Sequence, residues 1–401
     1  MKKLLSLLLA ATLVMGCLVG CGGNGGNQGG SNNDDAEYAV AMITDYGDIT
    51  DQSFNQTTYE ACKAFCEKND IDFKYFKPAD DSTDDRVASV EQAIDEGYNV
   101  IVMPGYAFGG TIAEVSEEYK DVKFIALDVA AGDLLEAGVA NAGETYDYNP
   151  DNWKLEDYIY MDNVYCAIYQ EEISGYMAGY AAVKLGYREL GFLGGMAVPA
   201  VIRFGYGFVQ GVEAAAKELN VEANVKYAYG NQFYGSADIT AVMDTWYQNG
   251  TEVVFACGGG IYTSAAEAAI KEGINGKVIG VDTDQAAVID GKYGEGLTVT
   301  SAMKGLYPTT YDTLTDVILN GKWSDYAGKI ATLGLVSGTD PELNYVQIPM
   351  TSTHWADGKF TQDDYKALVK SLFDGTIKVS ADITAMPKVE KIKVEDLGNL
   401  K

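Results

Sequence analysis

Two hydrophobic periods alternate along this chain. From residue 39 onward, short apolar runs of buried-strand length alternate with stretches whose apolar positions recur every three or four residues, the spacing of a helix packed on one face. The first block is the clearest. Ala39-Val-Ala-Met-Ile43 is a buried strand, a polar loop with one glycine at Gly47 follows, and Ser53 opens a helix with Gln56 placed to complete a capping box. The pattern then predicts a strand over 73–76. A helix starts at Ser82 or Thr83, has Val87, Val90, Ala93 and Ile94 on its apolar face, and ends at Gly97. Next come a strand over 99–103 ending in Pro104-Gly105-Tyr106, a helix over 111–119, and a strand over 123–127 ending on Asp128.

Residues 136–162 break the rhythm with Asn, Asp, Gly and Tyr, and 163–169 reads as a strand running between two halves. A second series follows. Helices are predicted over 174–185, 207–219, 239–248, 262–271 and 308–319. Strands are predicted over 189–193, 224–229, 252–257, 277–281 (ending on Asp282) and 297–302 (ending near Lys304), and the tail alternates to Lys401. Such alternation implies α/β lobes, each built on a doubly wound parallel sheet. The expected division is an N-terminal lobe of 38–160 plus about 303–330, and a C-terminal lobe of 163–302 plus about 331–401. A chain of 401 residues suits two cores better than one.

In open α/β sheets, ligands bind outside the carboxyl ends of the strands. Here those ends carry Asp45, Gly105, Asp128, Gly195-Met196, Gly258-Gly259-Gly260, Asp282 and Lys304. One Asp after a strand serves equally well as a helix cap. Three of them with glycines on one edge point to a single polar pocket. Asp45, Asp128 and Asp282 can accept hydrogen bonds from hydroxyls or ring N–H groups, and Lys304 can neutralise one of them. Asn55 adds an amide on the first turn of the first helix. Phe54 and Phe204 follow strand ends in different halves, and either pack in the core or face the two sides of a flat ring. Tyr106, Phe233 and Tyr262 are further lining candidates.

Charge and composition narrow the chemistry. A net charge of −29 and a pI of about 4.3 would repel nucleic acid and anionic lipid, which sets aside any nucleic-acid role. The single histidine, His354, is expected on the surface, and leaves no basis for a histidine-based hydrolase or a multi-histidine metal site. Gly205-Tyr-Gly207-Phe-Val-Gln-Gly211 has one residue too many for a dinucleotide fingerprint, and there is no Gly-x-Ser-x-Gly or Walker loop. Val281-Asp282-Thr283-Asp284 is similar to the paired aspartates of calcium-dependent nucleoside hydrolases, without the others that would complete a calcium cage. A binding module is expected rather than an enzyme, with no cofactor and no metal. Cys62 and Cys66 share one helix face and Cys166 and Cys257 lie in apolar strands, which suits buried free thiols.

At the N-terminus, Lys2 and Lys3 precede an apolar stretch over 4–14, and Leu18-Val19-Gly20-Cys21 resembles a bacterial lipobox. Residues 1–20 are expected to be a lipoprotein signal peptide, Cys21 to carry lipid, and the Gly/Asn-rich stretch through residue 37 to be a tether. That places the body on the outer face of the bacterial cytoplasmic membrane, anchored by lipid and expected to be a monomer.

Four segments carry a family resemblance. They are Thr44-Asp45-Tyr-Gly-Asp-Ile-Thr-Asp51-Gln-Ser53-Phe54-Asn55-Gln56; Gly194-Gly195-Met196 through Arg203-Phe204 with Gly207-Phe208; Gly280-Val281-Asp282-Thr-Asp284-Gln285; and Ser301-Ala-Met-Lys304. With these, the chain resembles, over about 38–380, the basic membrane protein family of substrate-binding lipoproteins of ABC transporters, and within it the purine nucleoside receptors. The resemblance implies a type I periplasmic-binding-protein fold with three hinge crossings, and a nucleoside closed between the lobes for delivery to membrane permease subunits. It implies that Phe54 and Phe204 sandwich the base, and that Asp45, Asn55 and Asp128 meet the base or neighbouring polar edges. Asp282 and Lys304 would then hold the ribose hydroxyls, and Gly258 would approach the sugar. The chain departs from the family motif at Gly47-Asp48, where two glycines are usual, and this adds a carboxylate near the pocket. The other readings are a binding or sensor lipoprotein for a sugar, autoinducer or other heterocycle, and a nucleoside-cleaving enzyme.

Overall fold

Apolar runs about five residues long set the frame of the molecule. The computed structural model describes residues 38–400. In chain order its strands are β1 (Ala39–Ile43), β2 (Asp72–Phe76), β3 (Val100–Pro104), β4 (Lys123–Leu127), β5 (Val164–Tyr169), β6 (Glu189–Gly194), β7 (Asn224–Tyr229), β8 (Val253–Cys257), β9 (Lys277–Asp282), β10 (Thr298–Lys304), β11 (Lys329–Leu333), β12 (Val346–Gln347) and β13 (Lys393–Asn399). The helices are α1 (Phe54–Asn69), α2 (Thr83–Asp95), α3 (Phe108–Val115), α4 (Ala131–Asn141), α5 (Glu171–Leu185), α6 (Pro199–Leu219), α7 (Ala237–Gln248), α8 (Tyr262–Ala269), α9 (Ala286–Tyr293), α10 (Leu306–Leu314) and α11 (Gln362–Phe373).

Among the described residues the strands form two sheets, ordered β11-β5-β4-β3-β1-β2 and β12-β10-β9-β8-β6-β7-β13. Every pairing is parallel except β10 with β12. The order β2-β1-β3-β4-β5 in the first sheet recurs as β7-β6-β8-β9-β10 in the second. Helices cover both faces, so β3 and β8 are buried along their whole length and read as unbroken apolar runs. In the first lobe α2, α3 and α4 pack on one face and α1 and α10 on the other. In the second, α5, α6 and α11 oppose α7, α8 and α9. The chain passes between the sheets three times, from β5 to α5, from β10 to α10 and from β11 to β12.

Several expectations are corrected. Residues 163–169 do not begin the second lobe. They form β5, which pairs with β4 and β11 inside the first sheet. Likewise β10 stays in the second sheet through Lys304, and the first sheet takes β11 as far as Leu333. The divisions at 163, 303 and 331 therefore move to the crossings. A buried strand carries no polar face to say which sheet it joins, and this moved the boundary. The aperiodic stretch after residue 135 holds most of α4, where Gly138 lies tight under Tyr158 and Ile159. α6 starts at Pro199 rather than 207, with proline in its first turn. His354 is half-buried rather than superficial, and burial, with Lys277 nearby, lowers its pKa. Cys62, Cys66, Cys166 and Cys257 are free and buried. The leader, Cys21 and the tether lie outside the described residues.

The glycines that imitate a dinucleotide fingerprint have a packing role. A Cβ at Gly207 would stand 2.1 Å from the Glu172 carbonyl oxygen, and one at Gly211 would stand 2.0 Å from that of Tyr176. From the other side, a Cβ at Gly175 would stand 2.2 Å from the Phe204 carbonyl oxygen. Glycine thus lets α5 and α6 approach backbone to backbone. Gly207→Ala should cost about 1–3 kcal/mol, the usual range for overpacking, because the obstructing atom is backbone and cannot turn aside. Denaturant unfolding of the variant against the parent protein checks this.

Candidate functional site

The carboxyl ends of β1, β3 and β4 in one lobe face those of β8, β9 and β10 in the other across a cavity of about 390 Å³. Asp45, Phe54, Asn55 and Asp128 border it from the first lobe, and Phe204, Gly258, Asp282 and Lys304 from the second. Tyr106 and Phe233 border it as well. Tyr262 does not; it is buried in the core under α8.

Lys304, the last residue of β10, is the electrostatic centre. Its ammonium donates to Asp128 Oδ2 across the lobes, lies 3.6 Å from Asp282 Oδ1 and 3.8 Å from Glu171 Oε1. It also sits 4.6 Å from the Phe54 ring centroid and 5.7 Å from those of Phe204 and Tyr169. Burial would lower the pKa of this lysine, but Asp128, Asp282 and Glu171 outweigh that effect and raise it, so the charge is held. Burial raises Asp282, against the pull of Lys304 and the hydrogen bond from Ser53. Asp128 and Asp282 occupy matching positions after β4 and at the end of β9, and both adopt left-handed backbone, with φ of 61° and 65°. For residues with a side chain that conformation is strained, and such strain gathers at functional edges. Asp128 Oδ1 and Asn55 Oδ1 are buried and have no hydrogen-bond partner among the described residues.

A second polar group is built by the loop before α1. Asp45 Oδ1 accepts from the Tyr46 and Gly47 amides at 2.7 Å each and from Asn55 Nδ2 at 3.3 Å. Burial nevertheless raises the Asp45 pKa. A Cβ at residue 47 would stand 2.5 Å from Asn55 Nδ2, so a side chain there would displace the Asn55 amide from Asp45. The expected Ser53–Gln56 capping box does not form. Asp51 caps the helix instead: its Oδ1 accepts from the Ser53 and Gln56 amides and its Oδ2 from the Asn55 amide, at 2.9–3.1 Å. The added carboxylate, Asp48, stands exposed at the cavity mouth, 3.3 Å from Lys77 Nζ, and both residues border the cavity.

Three charged residues beside the cavity were not anticipated. Arg203 Nε donates to Glu171 Oε2 at 2.6 Å, and Glu171 is fully buried where α5 opens after the first crossing. Asp133 Oδ2 accepts from the Ala130 amide at the start of α4. Pro199 was the available signal for Arg203, since it marks a helix start ahead of that residue. The cavity therefore offers aromatic rings from both lobes, a buried ammonium and many acceptors. Cys257 also borders it, with a thiol pKa raised by burial. Among the described residues, no cluster of three or more His, Cys, Asp or Glu side chains is arranged to hold a metal ion.

A cleft between two doubly wound lobes, lined from both, defines a two-lobed ligand-binding protein of the type I periplasmic-binding-protein fold. A family model described as "ABC transporter substrate-binding protein PnrA-like" matches residues 38–339, and the chain belongs to that family, which comprises substrate-binding proteins rather than enzymes. It is 26% identical over 317 residues to the CD4+ T-cell-stimulating antigen of Listeria innocua serovar 6a, covering 75% of this chain and 78% of that protein. It is 23% identical over 354 residues to the ABC transporter nucleoside-binding protein BmpA of Lactococcus lactis subsp. cremoris, covering 84% and 90%. Among solved structures, an ABC transporter solute-binding protein of Aeropyrum pernix K1 shares the fold with a TM-score of 0.61 at 18% identity, over 85% of this chain and 87% of that one. One from Conexibacter woesei gives 0.60 at 19%, over 86% and 99%.

Burial raises the Asp133 carboxyl from 3.8 to about 6, so the folded chain holds that proton more tightly than the unfolded chain. The resulting stabilisation is complete below 3.8 and is lost as pH rises through about 6. Asp133→Asn should therefore be more stable than the parent at about pH 7.5, by at most about 3 kcal/mol, and lose that advantage near about pH 4. Thermal melting of both proteins across that range is the measurement.

Proposed function

We propose that this chain captures nucleosides, purine nucleosides foremost, in the cavity between its lobes and delivers them to the permease subunits of an ABC importer. The observation that carries the reading is that one cavity combines aromatic rings from opposite lobes, Phe54 and Phe204, with the buried cluster of Lys304, Asp128 and Asp282. A nucleoside has the matching halves, a flat base with apolar faces and a sugar with neighbouring hydroxyl donors. In this reading the base stacks between Phe54 and Phe204, and its polar edge meets Asp45 and Asn55. Sugar hydroxyls donate to Asp282 and to the open Asp128 Oδ1, Lys304 donates to a sugar oxygen, and Gly258 lets the sugar approach the backbone. The pairing of Asp128 with Lys304 favours the sugar end for Asp128. The name of the Lactococcus relative, a nucleoside-binding protein, supports the same ligand class.

Stacking contributes about 1–3 kcal/mol per base, and hydrogen bonds to charged groups about 1.5–3 kcal/mol each. Closure is a hinge motion at the three crossings that bound ligand selects. Lipid on Cys21 and the following tether hold the monomeric body on the outer face of the cytoplasmic membrane, within reach of the permease.

Thermal melting against a panel of nucleosides, free bases and sugars tests this. A bound ligand at about 100 times its Kd adds about 2.7 kcal/mol of stability. Guanosine, inosine or adenosine should raise the melting temperature while ribose alone does not. Phe54→Ala should weaken the nucleoside response by roughly 5- to 150-fold in Kd. A shift with sugars only, or with nothing in the panel, removes the nucleoside assignment.

A further inference from the structure

The lobes are joined at a second place beside the Lys304 cluster, by hydrogen bonds between protein atoms alone. Ser53 Oγ, just before α1, donates to Asp282 Oδ2 in the other lobe at 2.6 Å. In the opposite sense, Gln285 Nε2, just before α9, donates to the Gln52 carbonyl at 3.0 Å. Ser53 and Gln285 are completely buried.

Each side of this reciprocal pair is braced within its own lobe. Gln285 Oε1 accepts from the Val281 amide at 2.9 Å, and the Gln285 amide donates to Ser301 Oγ at 3.2 Å. Gln56 Oε1 accepts from both the amide and the side-chain Nε2 of Gln52, at 3.1 and 2.7 Å, and Asp51 holds the Ser53 amide. Gln52 has φ of 57° and Asp282 has φ of 65°, so one non-glycine residue on each side is held in left-handed backbone. Because Asp51 caps the helix, the Ser53 side chain is not held against the amides of its own helix, and its hydroxyl donates across the cleft.

We propose that Gln52–Ser53 and Asp282–Gln285 form a latch that holds the lobes closed, and that Ser53 and Gln285 are positioning residues that set how long a captured ligand is retained. The latch favours the closed form by the same amount whatever ligand is inside, so it slows the opening that release of any ligand requires. It also orients Asp282: with Oδ2 tied to Ser53, Oδ1 is left facing Lys304. The latch itself follows from the two-lobed geometry, and rests on the nucleoside reading only for the choice of probe ligand.

The test uses the whole protein with Ser53→Ala, Gln285→Met, the hydroxyl-retaining Ser53→Thr, and Ser82→Ala as a control at the cap of α2. Two quantities are read: the ligand-free radius of gyration from small-angle X-ray scattering, and the guanosine dissociation rate by stopped flow. Ser53→Ala and Gln285→Met should each speed dissociation by roughly tenfold without slowing association. Both should enlarge the ligand-free radius, while Ser53→Thr and Ser82→Ala stay near the parent. Parental dissociation rates and radii in both latch variants would overturn the latch. If the parent binds no guanosine, the nucleoside reading fails and the ligand-free radius decides alone: an increase in Gln285→Met and Ser53→Ala supports the latch, and no increase overturns it.

Discussion

A lysine buried between two lobes can keep its charge only while its partners stay in place, and Lys304 draws those partners from both. Removing an ammonium from water costs several kcal/mol, and mutual attraction repays it only with good geometry. Lys304 ends β10, Asp128 follows β4, Asp282 ends β9, and Glu171 opens α5. Two of the four, Glu171 and Lys304, stand at crossings between the sheets, so the charge cluster and the hinge are one region. Opening the cleft separates Lys304 from Asp128 and returns both to water. Arg203 completes the balance by taking the second oxygen of Glu171. The cluster therefore ties the pairing of these charges to the angle between the lobes.

The repeated strand order explains why so many polar groups meet at one place. β4 and β9 hold equivalent positions and deliver Asp128 and Asp282; β3 and β8 do the same for Gly105 and Gly258. The repeat is not carried through at β1 and β6. The first lobe places Asp45 there, held by two backbone amides and Asn55. The second places Gly195 there, where a Cβ would stand 2.4 Å from the Phe233 ring. One end of the cavity is thus acceptor-rich on one side and aromatic on the other, and this asymmetry gives a ligand a preferred orientation.

Most of the frame could be read from the sequence, and so could the positions of Asp45, Asp128, Gly258, Asp282 and Lys304, because they lie where an apolar run stops. Asp45, Asp128 and Asp282 announce themselves as carboxylates at strand ends. Glu171 and Arg203 do not: α5 lacks the polar face that gives a helix its period, and the expected start of α6 at 207 falls after Arg203. Twelve of the fifteen residues of α5 are buried, and its start could not be separated from the strand before it. Sheet membership of β5 depends on which neighbour it bonds, information that its own residues do not contain. Ser53 shows the sharpest limit. A serine before a helix has the right chemistry both to cap that helix and to bond elsewhere, and only the tertiary arrangement, with Asp51 supplying the cap, decides between them.

The bracing within each lobe bears on the energetics of closure. In the second lobe, the glycine seam locks α5 against α6, which fixes the Glu171–Arg203 pair, and Phe204 is held edge-on to Phe255 with centroids 6.1 Å apart. In the first lobe, Asp51 and Gly47 fix the turn that presents Phe54, Asn55 and Asp45. Each lobe thus carries a finished half of the cavity before the halves meet. Closing brings together two preorganised surfaces rather than ordering loose side chains, so little of the free energy of association is lost to side-chain entropy. What remains adjustable is the hinge, and the contacts that set it are the Lys304 cluster on one side and the Ser53–Asp282 and Gln285–Gln52 bonds on the other.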